Sequence, residues 1–232
     1  PSYIGLFFFV VGLLAMNAAY VRYGLVGMLL ASPLITLSLA LLATLIVVAL
    51  KWLVMGTFKP IIKPLWSPYV WLNEMVNGAY ESVMAPAIAP FLGTPFIAFF
   101  LRLLGCRIGK ACYIETTLFS EFDLVQIGDY AALNMGAVIQ NHLFEDRVMK
   151  SSYLKIGDEC AVGNMAVVLY DSEMGPRSSL GPLSLLMKGE SLAQGTHWHG
   201  IPCMPCLPQL GAARSDSSTE AVAKASPAAL AS

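Results

Sequence analysis

The sequence predicts a membrane helical hairpin followed by an all-β parallel β-helix of hexapeptide repeats. Two observations carry that expectation. The first is a ladder of large apolar residues spaced six apart: Ile156, Val162, Val168, Met174, Leu180, Leu186, Leu192 and Trp198. Five of them are followed at once by a small residue, at Gly157, Gly163, Gly175, Gly181 and Ala193. A period of six suits neither a lone helix nor a hairpin, but it suits flat strands that turn a corner once per hexapeptide, with the apolar residue inside and small residues at the corners. Stacked coils then bury one another's apolar faces. The second is a charged fraction of only 12%, against about 25% in an ordinary soluble domain, with the deficit concentrated near the start.

Residues 1–56 are expected to form two transmembrane helices. Residues 3–21 and 23–50 carry no charge, and a helix of about 20 apolar residues crosses a bilayer core. Arg22 and its neighbours alone separate the runs, so they should fold as a tight hairpin. The first run has no basic flank and no clean cleavage site, which argues against a signal peptide, and Pro1 reads as a cut inside a longer chain. Lys51, Lys59, Lys63, Arg102, Arg107 and Lys110 follow the second run. Positive charge favours the cytoplasmic side, which puts the β-helix in the cytoplasm and Arg22 at the far face.

Residues 57–105 read as an interfacial helical linker. Trp52, Trp66, Tyr69 and Trp71 sit near the lysines, as aromatics do at a lipid surface. Pro60, Pro64 and Pro68 interrupt any long helix. From Val70 to Met84, Leu72, Met75, Val76, Ala79 and Val83 recur at helical spacing with Glu74, Asn77 and Glu81 between them, an amphipathic pattern. Gly93-Thr94-Pro95 is a turn, and Phe96 to Leu104 a short apolar helix ended by Gly105.

Residues 106–205 hold the repeats, starting with Ile108 and Ile114, then Ile127, Leu133 and Ile139. The phase slips twice. Ile108 to Ile127 is one residue more than three hexapeptides, and Ile139 to Ile156 one fewer. The second slip contains the charged string QNHLFEDRVMK, residues 140–150, expected as a loop that leaves the shaft or bulges from a corner. Residues 206–232, rich in Ala and Ser, are expected to be a disordered tail.

That charged loop holds the candidate chemistry. His142 stands beside Asn141, Glu145 and Asp146. An imidazole titrates near neutrality and can accept a proton from an attacking amine or hydroxyl, and Glu145 or Asp146 would orient it or bind an acceptor ammonium. Arg147 and Lys150, with Asn141 beside them, would meet a phosphate-bearing arm. The plain alternative is a solvated surface loop. His197, His199, Cys203 and Cys206 have a spacing that could ligate zinc, but Trp198 keeps the six-residue register, so the segment is expected to close the last coil with no metal. Asp129, Asp158 and Glu159, after Ile-Gly pairs, read as solvated turn residues. Five cysteines in no framework fit reduced thiols. A net charge of −1 without a dense basic patch excludes nucleic acid as a partner.

The pairs Ile108-Gly109, Ile127-Gly128, Ile156-Gly157 and Val162-Gly163 resemble the hexapeptide-repeat acyltransferases, whose shaft is a left-handed parallel β-helix. RLLGCRIGK (102–110), HLFEDRVMK (142–150) and WHGIP (198–202), after an apolar helix pair and a GTP turn (93–95), resemble the C-terminal region of membrane-anchored nonribosomal peptide synthetases of the poly-lysine synthetase type, over about residues 3–205. Cys203 departs from the Ala usual in that closing turn. The resemblance implies condensation-like amide formation, from an aminoacyl thioester on a phosphopantetheine carrier to an amine acceptor, with no directly bound cofactor. It implies upstream adenylation and carrier domains, and sister β-helix domains packed as in a trimer. The competing readings are a non-catalytic scaffold and a free-standing acyltransferase that uses a CoA thioester.

Overall fold

A computed structural model describes residues 2–206, and the expected disordered tail, apart from Cys206, falls on residues outside that range. The chain begins with α1 (Ser2–Val54), helical throughout except at Gly24, whose φ of 70° and ψ of −173° break the run. Glycine meets that conformation without a Cβ clash. The break lies two residues beyond Arg22. Leu39 lies 3.4 Å from the place a Cβ on Gly12 would occupy, so the second half returns along the first. Large side chains such as Phe7, Leu14, Leu30 and Leu37 are exposed on its surface. By length and composition this is the one helix among the described residues able to cross a membrane.

Lys51, near the end of α1, is fully buried. Its Nζ pairs with Asp123 Oδ2 at 2.6 Å, and that oxygen also accepts a hydrogen bond from the Phe58 amide at 3.0 Å. Trp52 Nε1 donates to the Leu103 carbonyl at 2.9 Å. The Asp123 contacts weld the end of α1 to the first coil of the repeat region, and the Trp52 contact ties it to the residues just before that coil.

The linker is more varied than its proline spacing implies. Strand Ile61–Pro64 comes first, then α2 (Pro68–Ala79), a π-helical turn Tyr80–Met84, and a helix Pro95–Leu104. Pro68 and Pro95 open their helices, where a missing amide hydrogen costs little. Gly105 ends the last one in the left-handed region at φ 114°. The amphipathic pattern of Val70–Met84 is matched only in part by burial. Leu72 and Met75 are exposed, whereas Asn73 and Asn77 are buried with Val76, Ala79, Tyr80, Val83 and Met84. The polar pair turns inward because a buried carboxylate waits there. The Tyr80 hydroxyl donates to the Thr117 carbonyl at 2.7 Å.

From Arg107 the chain winds through three parallel sheets. Ile156 pairs with Met174, Val162 with Leu180 and Val168 with Leu186, each 18 residues on. Three hexapeptides therefore make one coil, which is the pairing a three-faced parallel β-helix requires. Ile114, Leu133, Val162, Val168 and Leu186 are wholly buried along the shaft, each removal from water stabilising by about 1.5–3 kcal/mol. The first slip is a coil one residue longer, since Ile108 pairs with Ile127. The second is not a shortened coil. Ile139 pairs with Val168 and Ile127 with Ile156, both 29 residues apart, so an eleven-residue excursion has been inserted.

That excursion is a β-hairpin, not a loop. His142–Glu145 pairs antiparallel with Val148–Ser151, and the linker strand Ile61–Pro64 adds to its outer edge. Asp146 and Arg147 make the turn with φ of 51° and 63°, the positive values a two-residue hairpin turn needs.

The small residues after each ladder position serve close stacking. A Cβ on Gly163 would lie 2.5 Å from the backbone of Gly181 and Pro182 in the next coil. The positive φ angles fall elsewhere, on Tyr130, Glu159, Met165, Asp171, Arg177 and Leu183 among others. Nor are the corner aspartates merely solvated. Asp158 Oδ1 accepts from the Asp129 amide at 2.7 Å, and Asp129 Oδ1 from the Lys110 amide at 2.7 Å. At the far end Trp198 pairs with Leu180, on the ladder, and then with Pro205 in a short antiparallel strand.

Candidate active site

His142 opens the first hairpin strand, where the excursion leaves the shaft, and its side chain is 13% exposed. Its Nδ1 lies 2.7 Å from Glu121 Oε2, and its ring meets Phe144 edge-on at 5.1 Å. Glu121 is the residue the sequence reading missed. It lies in the lengthened coil before Phe122, 1% exposed, with φ 36° and ψ 61°, a conformation rarely held by a residue with a Cβ. Asn73 and Asn77 of α2 donate to its Oε1 at 2.9 and 3.2 Å. A carboxylate in the apolar string FSEFDLV (119–125) was the available signal, because a charge inside a buried coil needs partners.

Burial opposes ionisation at Glu121, but the hydrogen bond and charge of His142, with donors from Asn73 and Ser120, outweigh it and hold its pKa below 4.5. For His142, burial pulls the pKa down, while Glu121 first, then Glu74 and Glu81, push it the other way, and the net position is above 6.5. A carboxylate on Nδ1 keeps the proton there and leaves Nε2 as the basic nitrogen.

The other predicted site residues do not gather around this pair. Glu145 does not orient His142, because Lys188 Nζ contacts both its oxygens at 2.5 and 2.6 Å and Lys150 Nζ reaches it at 3.2 Å. Asp146 is exposed at the turn, 3.9 Å from Lys150 Nζ. Asn141 is fully buried; its amide donates to Ser120 Oγ and its Nδ2 to the Ser152 carbonyl. It ties the hairpin base to the shaft. Arg147 sits at the tip, five residues along the hairpin from His142, and its carbonyl accepts from Leu65 at 2.9 Å.

A cleft of about 270 Å³ opens beside His142, between the shaft and α2. Glu74, Asn77 and Glu81 form the helical wall, with Ser120, Gln140 and the apolar Phe119 and Ile139 opposite. Among the described residues no three His, Cys, Asp or Glu side chains converge as metal ligands. His197 Nδ1 contacts Ser179 Oγ at 2.6 Å, and His199 Nδ1 contacts Cys206 Sγ at 2.9 Å. All five cysteines are free.

A buried His–Glu pair thus lies at the rim of a cleft on the shaft of stacked coils. No protein-family model matches the chain. Delta-poly-L-ornithine synthetase of Acinetobacter baumannii is 43% identical over 162 residues, covering 69% of this chain and 12% of that protein. The chain is thus homologous to one part of a poly-amino-acid synthetase, as the string-by-string resemblance implied. Among solved structures, a maltose O-acetyltransferase from Clostridium difficile 630 is 19% identical, covering 44% of this chain and 58% of its own at TM-score 0.37. A hexapeptide-repeat acetyltransferase from Vibrio cholerae, complexed with acetyl coenzyme A, is 15% identical, covering 53% and 84% at TM-score 0.38.

Proposed function

We propose that the chain is an amide-forming acyl-transfer unit of a membrane-anchored peptide synthetase, with His142 as its general base. The observation that carries this reading is the Glu121–His142 pair, 2.7 Å apart at the rim of the cleft. The 43% identity to part of a poly-L-ornithine synthetase supports it, since a poly-amino acid grows by amide bonds. In the reaction the acceptor amine attacks the carbonyl carbon of an aminoacyl thioester. His142 Nε2 takes the proton the nitrogen sheds as the C–N bond forms. The C–S bond breaks, and the departing thiolate takes up a proton to become a thiol. The thioester is already activated, so Glu121 needs only to hold the ring and stabilise its cation.

The donor in this reading is a phosphopantetheine thioester on a carrier domain, with a CoA thioester as the second choice. Arg147 and Lys150 on the hairpin would meet the arm's phosphate. The shaft is left-handed, packs with sister shafts as in a trimer, and stands in the cytoplasm beneath a membrane hairpin, with α2 near the lipid surface. Adenylation and carrier domains act upstream. The deciding experiment is amide formation from an aminoacyl phosphopantetheine thioester by the parent and by His142→Gln. The reading expects a loss of two to four orders of magnitude with helical and strand content unchanged. Parental rates in the variant would leave a scaffold as the better account.

A further inference from the structure

Resting on the acyl-transfer reading of His142, we propose that Glu74, Asn77 and Glu81 form a subsite for a second positive charge on the amine acceptor, apart from the nitrogen that reacts. The three residues recur at positions 74, 77 and 81, which the end of α2 and the following π-helical turn bring to one wall of the cleft. All that this wall offers is acceptor oxygen. Two side chains are carboxylates. The third, Asn77, is 7% exposed, spends its Nδ2 on Glu121, and has an Oδ1 with no hydrogen-bond partner. A buried amide oxygen left without a donor is costly, and a bound N–H would satisfy it.

The charge balance points the same way. No Lys or Arg is among the described residues lining the cleft, and His142 is the only cationic group there. That cation is already matched by Glu121. Burial raises the Glu74 pKa, His142 lowers it, and Glu121 and Glu81 add to the rise. The wall thus sets two carboxylates, Glu74 and Glu81, against no cation beyond His142, and an ammonium would balance them. A mono-amine leaves them uncompensated once its nitrogen turns to His142 and gives up its proton. An acceptor with a second ammonium several bonds away supplies both the charge and the missing N–H donor.

The test is calorimetric titration of the 232-residue chain in lipid nanodiscs with cadaverine and with pentylamine, which differ in the second ammonium. The subsite predicts cadaverine to bind at least about tenfold tighter, and Glu74→Gln/Glu81→Gln to erase the difference while pentylamine binding stays put. Equal binding of both amines, or a preference that survives the double substitution, overturns the proposal. So does displacement of cadaverine by magnesium or zinc ions at equimolar concentration, which would make the wall a metal site. His142→Gln separates this subsite from the base. Retained cadaverine preference with lost transfer supports both, whereas lost preference with intact Glu74 and Glu81 assigns the binding to the imidazole and overturns the subsite.

Discussion

His142 owes its character to one carboxylate outside its own strand. Glu121 Oε2 fixes the Nδ1 proton and raises the imidazole pKa above 6.5. If His142 is the base, the transfer rate rises with pH through that raised pKa, because only the neutral ring accepts a proton. Glu121→Gln should move the alkaline-rising limb to lower pH and reduce kcat, read from a pH–rate profile. His142→Ala should cost roughly 3–5 kcal/mol of transition-state stabilisation, or about 10²–10⁴ in rate. The same pair makes a stability prediction. Glu121, with its folded pKa lowered from 4.5, contributes above pH 4.5 and loses that contribution as pH falls through the folded value. His142 contributes fully below pH 6.5 and loses its share as pH rises through its own folded value. The difference in unfolding free energy between the parent and His142→Ala should therefore be largest between about pH 4.5 and 6.5, and a urea titration across pH 4–8 checks it.

At the scale of elements, two joints decide whether the site exists. The first is the stacking of coils. Gly163→Ala would press a methyl against the backbone of Gly181 and Pro182 at 2.5 Å, where no flexible side chain can yield. We expect a loss of about 1–3 kcal/mol, seen as a lower melting temperature in circular dichroism. The second joint is Lys51 with Asp123. Asp123→Ala leaves a buried ammonium unpaired and an orphaned Phe58 amide, a cost of about 3–5 kcal/mol. Lys51→Met together with Asp123→Leu should recover much of it, which separates the ion pair from the mere presence of Asp123. Both joints were half legible. The six-residue ladder names Val162 and Gly163, but the reason for the glycine, crowding instead of turn conformation, needs the neighbouring coil. Lys51 reads as a charge at a membrane edge until the coil of Asp123 closes over it.

For the whole molecule, the consequence is that the cleft is composite. Its floor belongs to the shaft, and its acidic wall belongs to α2, which continues through the π-helical turn onto α1. Removing residues 1–105 should leave stacked coils without amine binding, a result checked by circular dichroism and titration of the truncated chain. The expected orientation is tested by thiol labelling. Cys206 is exposed and should react in inverted vesicles but not in intact cells; labelling from outside would reverse the topology.

The periodic part of the fold is legible from the residues alone. The six-residue ladder reveals the stacked strands from Ile156 to Trp198, and two uncharged runs reveal a long apolar N-terminal segment, because both signals are local. The sequence also singled out His142, as a titratable group in the most charged stretch of the repeats. Tertiary structure alone decided what His142 touches. Glu121 is 21 residues away in the chain, Asn73 and Asn77 sit on a helix whose polar face looked like the solvent side, and Glu145, the near neighbour, is drawn off by Lys188. Contacts between coils and helices depend on which face is buried, and that is settled only when the hairpin and α2 pack against the shaft around the buried Glu121.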